Sequence, residues 1–188
     1  SSAASDVYKR QDKNVSIMNI GSMGYLPQVF KKIENEKKLN IVYLGGSITM
    51  GCNATRTELR YVDRSAKWWQ TNFPDAEISY FNAGIGATTS QFGVARVQEH
   101  VLDKQPDLVF VEFSVNDSSS PLFMETYESL VRRLLKAESV KAVVLINNLF
   151  YDTGTNAQGI HNAIGLHYDL PIVSVRTVSY THLRAHET

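Results

Sequence analysis

Three short polar blocks in a chain of 188 residues carry side chains that together could run an acyl transfer. Gly45-Gly46-Ser47-Ile48-Thr49 presents a serine hydroxyl in a glycine turn. Asn82-Ala83-Gly84-Ile85-Gly86-Ala87-Thr88-Thr89-Ser90 is a glycine-rich loop with amide hydrogens to offer. Ser114-Val115-Asn116-Asp117 adds a carboxamide. In such chemistry the serine oxygen attacks an ester carbonyl. Backbone N–H groups and an asparagine NH2 then stabilise the oxyanion as it forms. Each block also has a plainer reading. The first is an ordinary turn, the second a tight connection into a helix, and Asn116-Asp117 an Asx turn or cap. Their shared placement separates them from chance, because each follows a predicted strand.

The strands are read from apolar, β-branched runs at Leu39–Leu44, Glu77–Phe81, Leu108–Phe113, Ala142–Ile146 and Pro171–Val175. Near-continuous runs such as LVFVEF and AVVLI suit strands buried on both faces of a parallel sheet. Helical stripes lie between them. Leu26, Val29, Phe30 and Ile33 form one, and Val62, Ala66, Trp69 and Phe73 another, closed by Pro74. Val94, Val97 and Val101 mark a third. The fourth runs from Phe123 to Leu135, with Ser120-Pro121 as its N-cap and first turn. A weaker fifth covers 156–168. Strands recurring at this spacing are βαβ units, and right-handed crossovers place helices on both faces of the sheet. The expected fold is therefore α/β, a three-layer α/β/α sandwich on a five-stranded parallel sheet. Ligands of such sheets bind beyond the carboxyl ends of the strands, where all three polar blocks fall.

Composition narrows the function classes. Hydrophobic residues at 43% and charged residues at 20% suit one globular domain with a proper core. Nineteen basic and nineteen acidic residues leave no net charge, which argues against a general electrostatic grip on nucleic acid. No apolar run approaches a membrane span. The lone Cys52 excludes an internal disulfide; five residues after Ser47 it could reach the site, but packing is favoured over reactivity. Trp68-Trp69 reads as one core ring and one partly exposed ring. Asn147-Asn148, after the fourth strand, is placed to shape the pocket. No His, Cys and carboxylate cluster has metal-ligand spacing, and neither a P-loop lysine nor G-x-G-x-x-G is present, so no cofactor or metal is expected. Residues 1–11 and about 177–188 show neither period and resemble translated adapter sequence. They are set aside as non-native tails, leaving a single domain over 12–176.

Together the blocks at Gly46-Ser47-Ile48-Thr49, Asn82 to Ser90 and Val115-Asn116-Asp117 resemble the first three sequence blocks of the SGNH (GDSL-type) hydrolases. These are serine esterases and lipases with a flavodoxin-like sandwich. The resemblance spans about residues 19–176. It implies that Ser47 is the nucleophile, with its own amide as one oxyanion donor and the Asn116 side chain as another. The family's oxyanion glycine falls at Ala87, preceded by Gly86, and a backbone amide there serves if the local angles permit. The substrate implied is a small acyl ester, carbohydrate O-acetyl groups included. A binding module that cradles a small anion on the same amides is the alternative.

The resemblance also implies an Asp-x-x-His block near the C-terminus, with His as base and Asp as its orienter. None is found. His100 flanks a helix, His161 and His167 precede the last strand, and His182 and His186 lack an Asp three residues ahead. None is read as the base. The domain is expected to be incomplete beyond Arg176, and this chain nearly inactive and poorly soluble.

Overall fold

A computed structural model describes residues 16–150 and 154–175. The expected tails, with His182 and His186, lie outside them. The chain order is β1 (Ile17–Asn19), α1 (Leu26–Glu36), β2 (Lys38–Gly45), α2 (Ser47–Met50), α3 (Tyr61–Asn72), β3 (Glu77–Gly84), α4 (Ser90–His100), β4 (Leu108–Glu112), α5 (Pro121–Lys136), β5 (Ala142–Asn147), α6 (Gln158–His167) and β6 (Ile172–Ser174). The sheet order is β1-β6-β5-β4-β2-β3.

The five strands expected from sequence are all present and parallel to one another. The sheet nevertheless has six strands, not five. β1 pairs antiparallel with β6, Ile17 against Val173, through an irregular register. Three residues are too few to show an alternation of period two, so nothing in Ile17–Asn19 marks a strand before its partner is known.

Alternate residues of each central strand enter opposite cores, as the pleat requires. Leu39, Ile41 and Tyr43 pack with Val29 and Ile33 of α1 and Val62 and Trp69 of α3. Val42 and Leu44 pack with Val97 of α4 and Tyr127, Leu130, Val131 and Leu134 of α5 on the other face. Trp69 is buried while Trp68 is exposed, as expected from sequence. Ser120 occupies the N-cap of α5, but its hydroxyl makes no capping bond; it accepts from Ser118 instead. Here Pro at the first turn, with φ already helical, starts the helix without side-chain help.

The chain leaves β2 for the edge strand β3, then returns to pair β4 on the other side of β2. This reversal is a topological switch point, and it opens a crevice between the carboxyl ends of β2 and β4. Among the described residues no helix is long and apolar enough to cross a membrane.

Leu130 is fully buried at the centre of the α5 face. Leu130→Ala removes most of a side chain from close packing. Urea denaturation should show a loss of about 3 kcal/mol.

Candidate active site

Register brings the three blocks together. Gly45 of β2 stands opposite Gly84 of β3 and Glu112 of β4. The strands end level, so the loops they launch emerge side by side. Gly46 is where they touch. A Cβ there would lie 2.6 Å from Asn116 Oδ1 and 3.3 Å from the Thr88 carbonyl. Only a glycine lets the second and third blocks close on the residue before Ser47. Gly84 is as tightly placed, its Cα against the backbone of Thr49 and Met50.

Ser47 opens the single turn α2, with Gly46 as N-cap. Its carbonyl accepts from the Gly51 and Cys52 amides at 3.0 and 2.9 Å. Asn82 ties the turn to the second block: its Nδ2 donates to the Thr49 carbonyl at 2.8 Å, and its Oδ1 accepts from Gly84 N–H at 2.9 Å. Ile85 N–H donates to the Gly45 carbonyl at 3.1 Å. The amides of Gly86 and Ala87 donate to no backbone carbonyl among the described residues. Ala87 adopts φ +57, the left-handed region that glycine enters freely. An alanine there costs about 1–2 kcal/mol. The backbone at 87 thus holds a conformation that suits glycine, although the residue is alanine. Asn116 Oδ1 is buried and accepts no hydrogen bond.

Beside Ser47 opens a cleft of about 480 Å³, lined by Ile48, Cys52, Asn53, Val115, Asn148, Leu149, Phe150 and Val175. Cys52 is exposed in this lining: it reaches the site, where sequence favoured packing. Asn148 reaches the cleft as expected. Asn147 instead lies buried and donates to Asn162 Oδ1 at 2.8 Å.

The described histidines are elsewhere. His161 is buried, its Nε2 3.0 Å from Asp117 Oδ2, and its ring stacks on Tyr127 at 3.6 Å between centroids. Burial holds this imidazole below its usual pKa, against the pull of Asp117. Asp117 Oδ1 also accepts the Ser90 amide at 2.9 Å, so Asp117 caps α4. His100 lies 3.3 Å from Arg96. Among the described residues no histidine lines the cleft.

Two charged residues under the site escaped sequence reasoning. Arg96 of α4 is buried and donates to the Ala83 and Gly45 carbonyls at 2.7 and 3.1 Å, clamping the ends of β3 and β2. Burial lowers its pKa. Glu112 closes β4 with no exposed surface. Burial pushes its carboxyl up to about 7, while Asn148, Ser114 and Thr49 favour the ionised form. The signal was present in LVFVEF, where one charge interrupts an apolar strand.

Fold and crevice together define an α/β/α domain of SGNH type. The GDSL-like lipase/acylhydrolase family profile matches residues 43–175, and the chain belongs to that family. A two-domain esterase, CEX, active on acetylated mannans, is similar at 45% identity and a TM-score of 0.88 over 93% of this chain and 47% of that one. The same esterase co-crystallised with mannopentaose gives a TM-score of 0.89. The chain thus spans about half the length of this relative. Axe2, an acetylxylan esterase from Geobacillus stearothermophilus, shares the fold at 18% identity and a TM-score of 0.58, over 71% of this chain and 74% of that one. The SGNH-hydrolase family esterase AlinE4 does so at 21% and 0.59, over 72% and 75%. No curated protein matches the chain significantly.

Glu112 makes stability depend on pH. Its folded pKa, about 7, lies above its ordinary 4.5, so between these values the folded state holds the proton more tightly. Stability relative to Glu112→Gln is full below about pH 4.5 and falls as pH rises toward 7, by about 3 kcal/mol in all. Thermal unfolding of both proteins across this range measures the difference.

Proposed function

We propose that this domain is the catalytic part of a serine ester hydrolase acting on small acyl esters, with O-acetyl groups on carbohydrate as the favoured class. Ser47 Oγ attacks the acyl carbonyl and forms an acyl-serine; the alcohol leaves, and water releases the acid. The Ser47 and Ala87 amides and the Asn116 carboxamide, with Gly86 beside Ala87, form the oxyanion hole. The observation that carries this reading is the packing at Gly46, where the Asn116 side chain and the Thr88 carbonyl close on the residue before the nucleophile. The carbohydrate preference is supported by the 45% identical esterase, described as active on acetylated mannans. The apolar Ile48, Val115 and Leu149 line the cleft beside the polar Asn53 and Asn148, a mixture that suits a small acyl group next to a hydroxylated alcohol. The general base comes from outside the residues that line the cleft, and Asp117–His161 serves the core instead of the nucleophile.

Ser47→Ala should abolish turnover of p-nitrophenyl acetate and of acetylated manno-oligosaccharides by the full-length enzyme. Retained turnover would end the assignment. Asn116→Ala should lower kcat by about 10²–10³-fold, the usual cost of one oxyanion donor. Gly46→Ala, which removes no catalytic group but pushes the Asn116 donor aside, should slow acylation by about 10²-fold with folding intact. Circular dichroism and stopped-flow acylation distinguish these outcomes.

A further inference from the structure

Glu112 is the buried carboxyl that the acyl-transfer scheme leaves without a task. Its two oxygens face different elements. Oε2 lies 3.5 Å from Thr49 Oγ1, two residues after Ser47 in α2. Oε1 lies 3.4 Å from Ser114 Oγ, two residues before Asn116. Its own carbonyl accepts the Gly46 amide at 3.3 Å. Thr49 Oγ1 also shares a hydrogen bond of 2.8 Å with Tyr61 Oη of α3. Ser114 accepts from the Asn148 amide at 2.7 Å, and its hydroxyl points between Glu112 and the Asn148 carbonyl, 3.1 Å away. One carboxylate therefore stands between the turn that carries the hydroxyl and the loop that carries the carboxamide.

We propose that Glu112 is the positioning residue that couples the Ser47 turn to the Asn116 loop, one carboxylate oxygen holding each, so that nucleophile and oxyanion donor keep a fixed spacing. Its bearing on reactivity rests on Ser47 being the nucleophile; the coupling itself rests on the contacts. The ionised carboxylate accepts from both hydroxyls. The protonated carboxyl must donate one bond and keeps a single strong acceptor. The ionised form bonds both elements but is the form that burial penalises, so these contacts offset only part of that cost. The groups facing Glu112 are Tyr61 through Thr49 from α3, Asp117 after β4 with His161 behind it, Asn148 after β5, and Arg96 of α4 on the adjoining Gly45 carbonyl. Of these, Asp117 raises its proton affinity.

Hydrogen exchange by mass spectrometry on the 188-residue chain, from about pH 5 to about pH 8 and corrected for intrinsic rates, tests the coupling. In the parent, segments 44–52 and 113–118 should lose protection together as pH rises toward neutrality, since the closed arrangement binds the Glu112 proton more tightly than an opened one. In Glu112→Gln this shared change should vanish. Thr49→Val should release segment 44–52 alone, and Thr49→Ser, which keeps the hydroxyl, should restore it. Labelling by a fluorophosphonate, with the adduct located by mass, should slow about tenfold at Ser47 in Glu112→Gln at neutral pH, as for one lost charge-assisted bond. Exchange in Glu112→Gln that matches the parent at every pH overturns the proposal. If that variant does not fold, Thr49→Val decides by the same criterion. Coupled exchange with no adduct on Ser47 of the full-length enzyme would keep the coupling and remove the nucleophile. An adduct on Ser47 whose rate and exchange ignore Glu112 would do the reverse.

Discussion

Everything at this site depends on the level ends of three neighbouring strands. Because β2 pairs in register with β3 and with β4, Gly45 has Gly84 on one side and Glu112 on the other. Backbone hydrogen bonds between parallel strands set that alignment, and side chains then fill what it leaves open. A slip of one residue would send Leu44 and Val42 to the wrong core and move each loop by a residue. The hydrophobic alternation that builds the two cores is therefore also what brings the Asn116 loop against Gly46, the residue before Ser47. Glycine at 45, 46 and 84 follows from the same constraint, since backbones packed this closely leave no space for a Cβ.

The crevice is supported from beneath by charge. Arg96, Glu112 and the Asp117–His161 pair are all buried, and buried charges are retained only when they are well bonded or carry out a task. Arg96 donates to two strand-end carbonyls, Ala83 of β3 and Gly45 of β2. Asp117 satisfies an α4 amide and an imidazole with its two oxygens. Glu112 is the least well satisfied, with both hydroxyl contacts at or beyond 3.4 Å. An apolar residue in its place would make a more stable strand, so its presence in β4 is a cost to stability accepted at the site.

His161 illustrates how the same residue types serve different ends. An Asp and a His at 3.0 Å have the form of a catalytic pair. This one has no exposed surface, stacks on Tyr127 and is absent from the lining of the cleft. Its position between α4, α5 and α6 makes it a fastening of the helical layer. Geometry relative to Ser47, and not residue chemistry alone, separates the two roles.

The sequence by itself determined the layered α/β architecture, because apolar periodicity is a local property that each strand and helix writes into its own residues. It also placed the blocks that contain Ser47, Gly86, Ala87 and Asn116 after the ends of three strands, since block order follows strand order. The three-residue β1, the inward partners of Asp117 and His161, the exposure of Cys52 and the floor formed by Arg96 and Glu112 were decided only in the tertiary structure. Each of these joins residues far apart in the chain, 44 positions in the case of Asp117 and His161, and no short window of sequence records such a pairing. Periodicity tells a side chain which way to face; only the packed molecule tells it what it meets there.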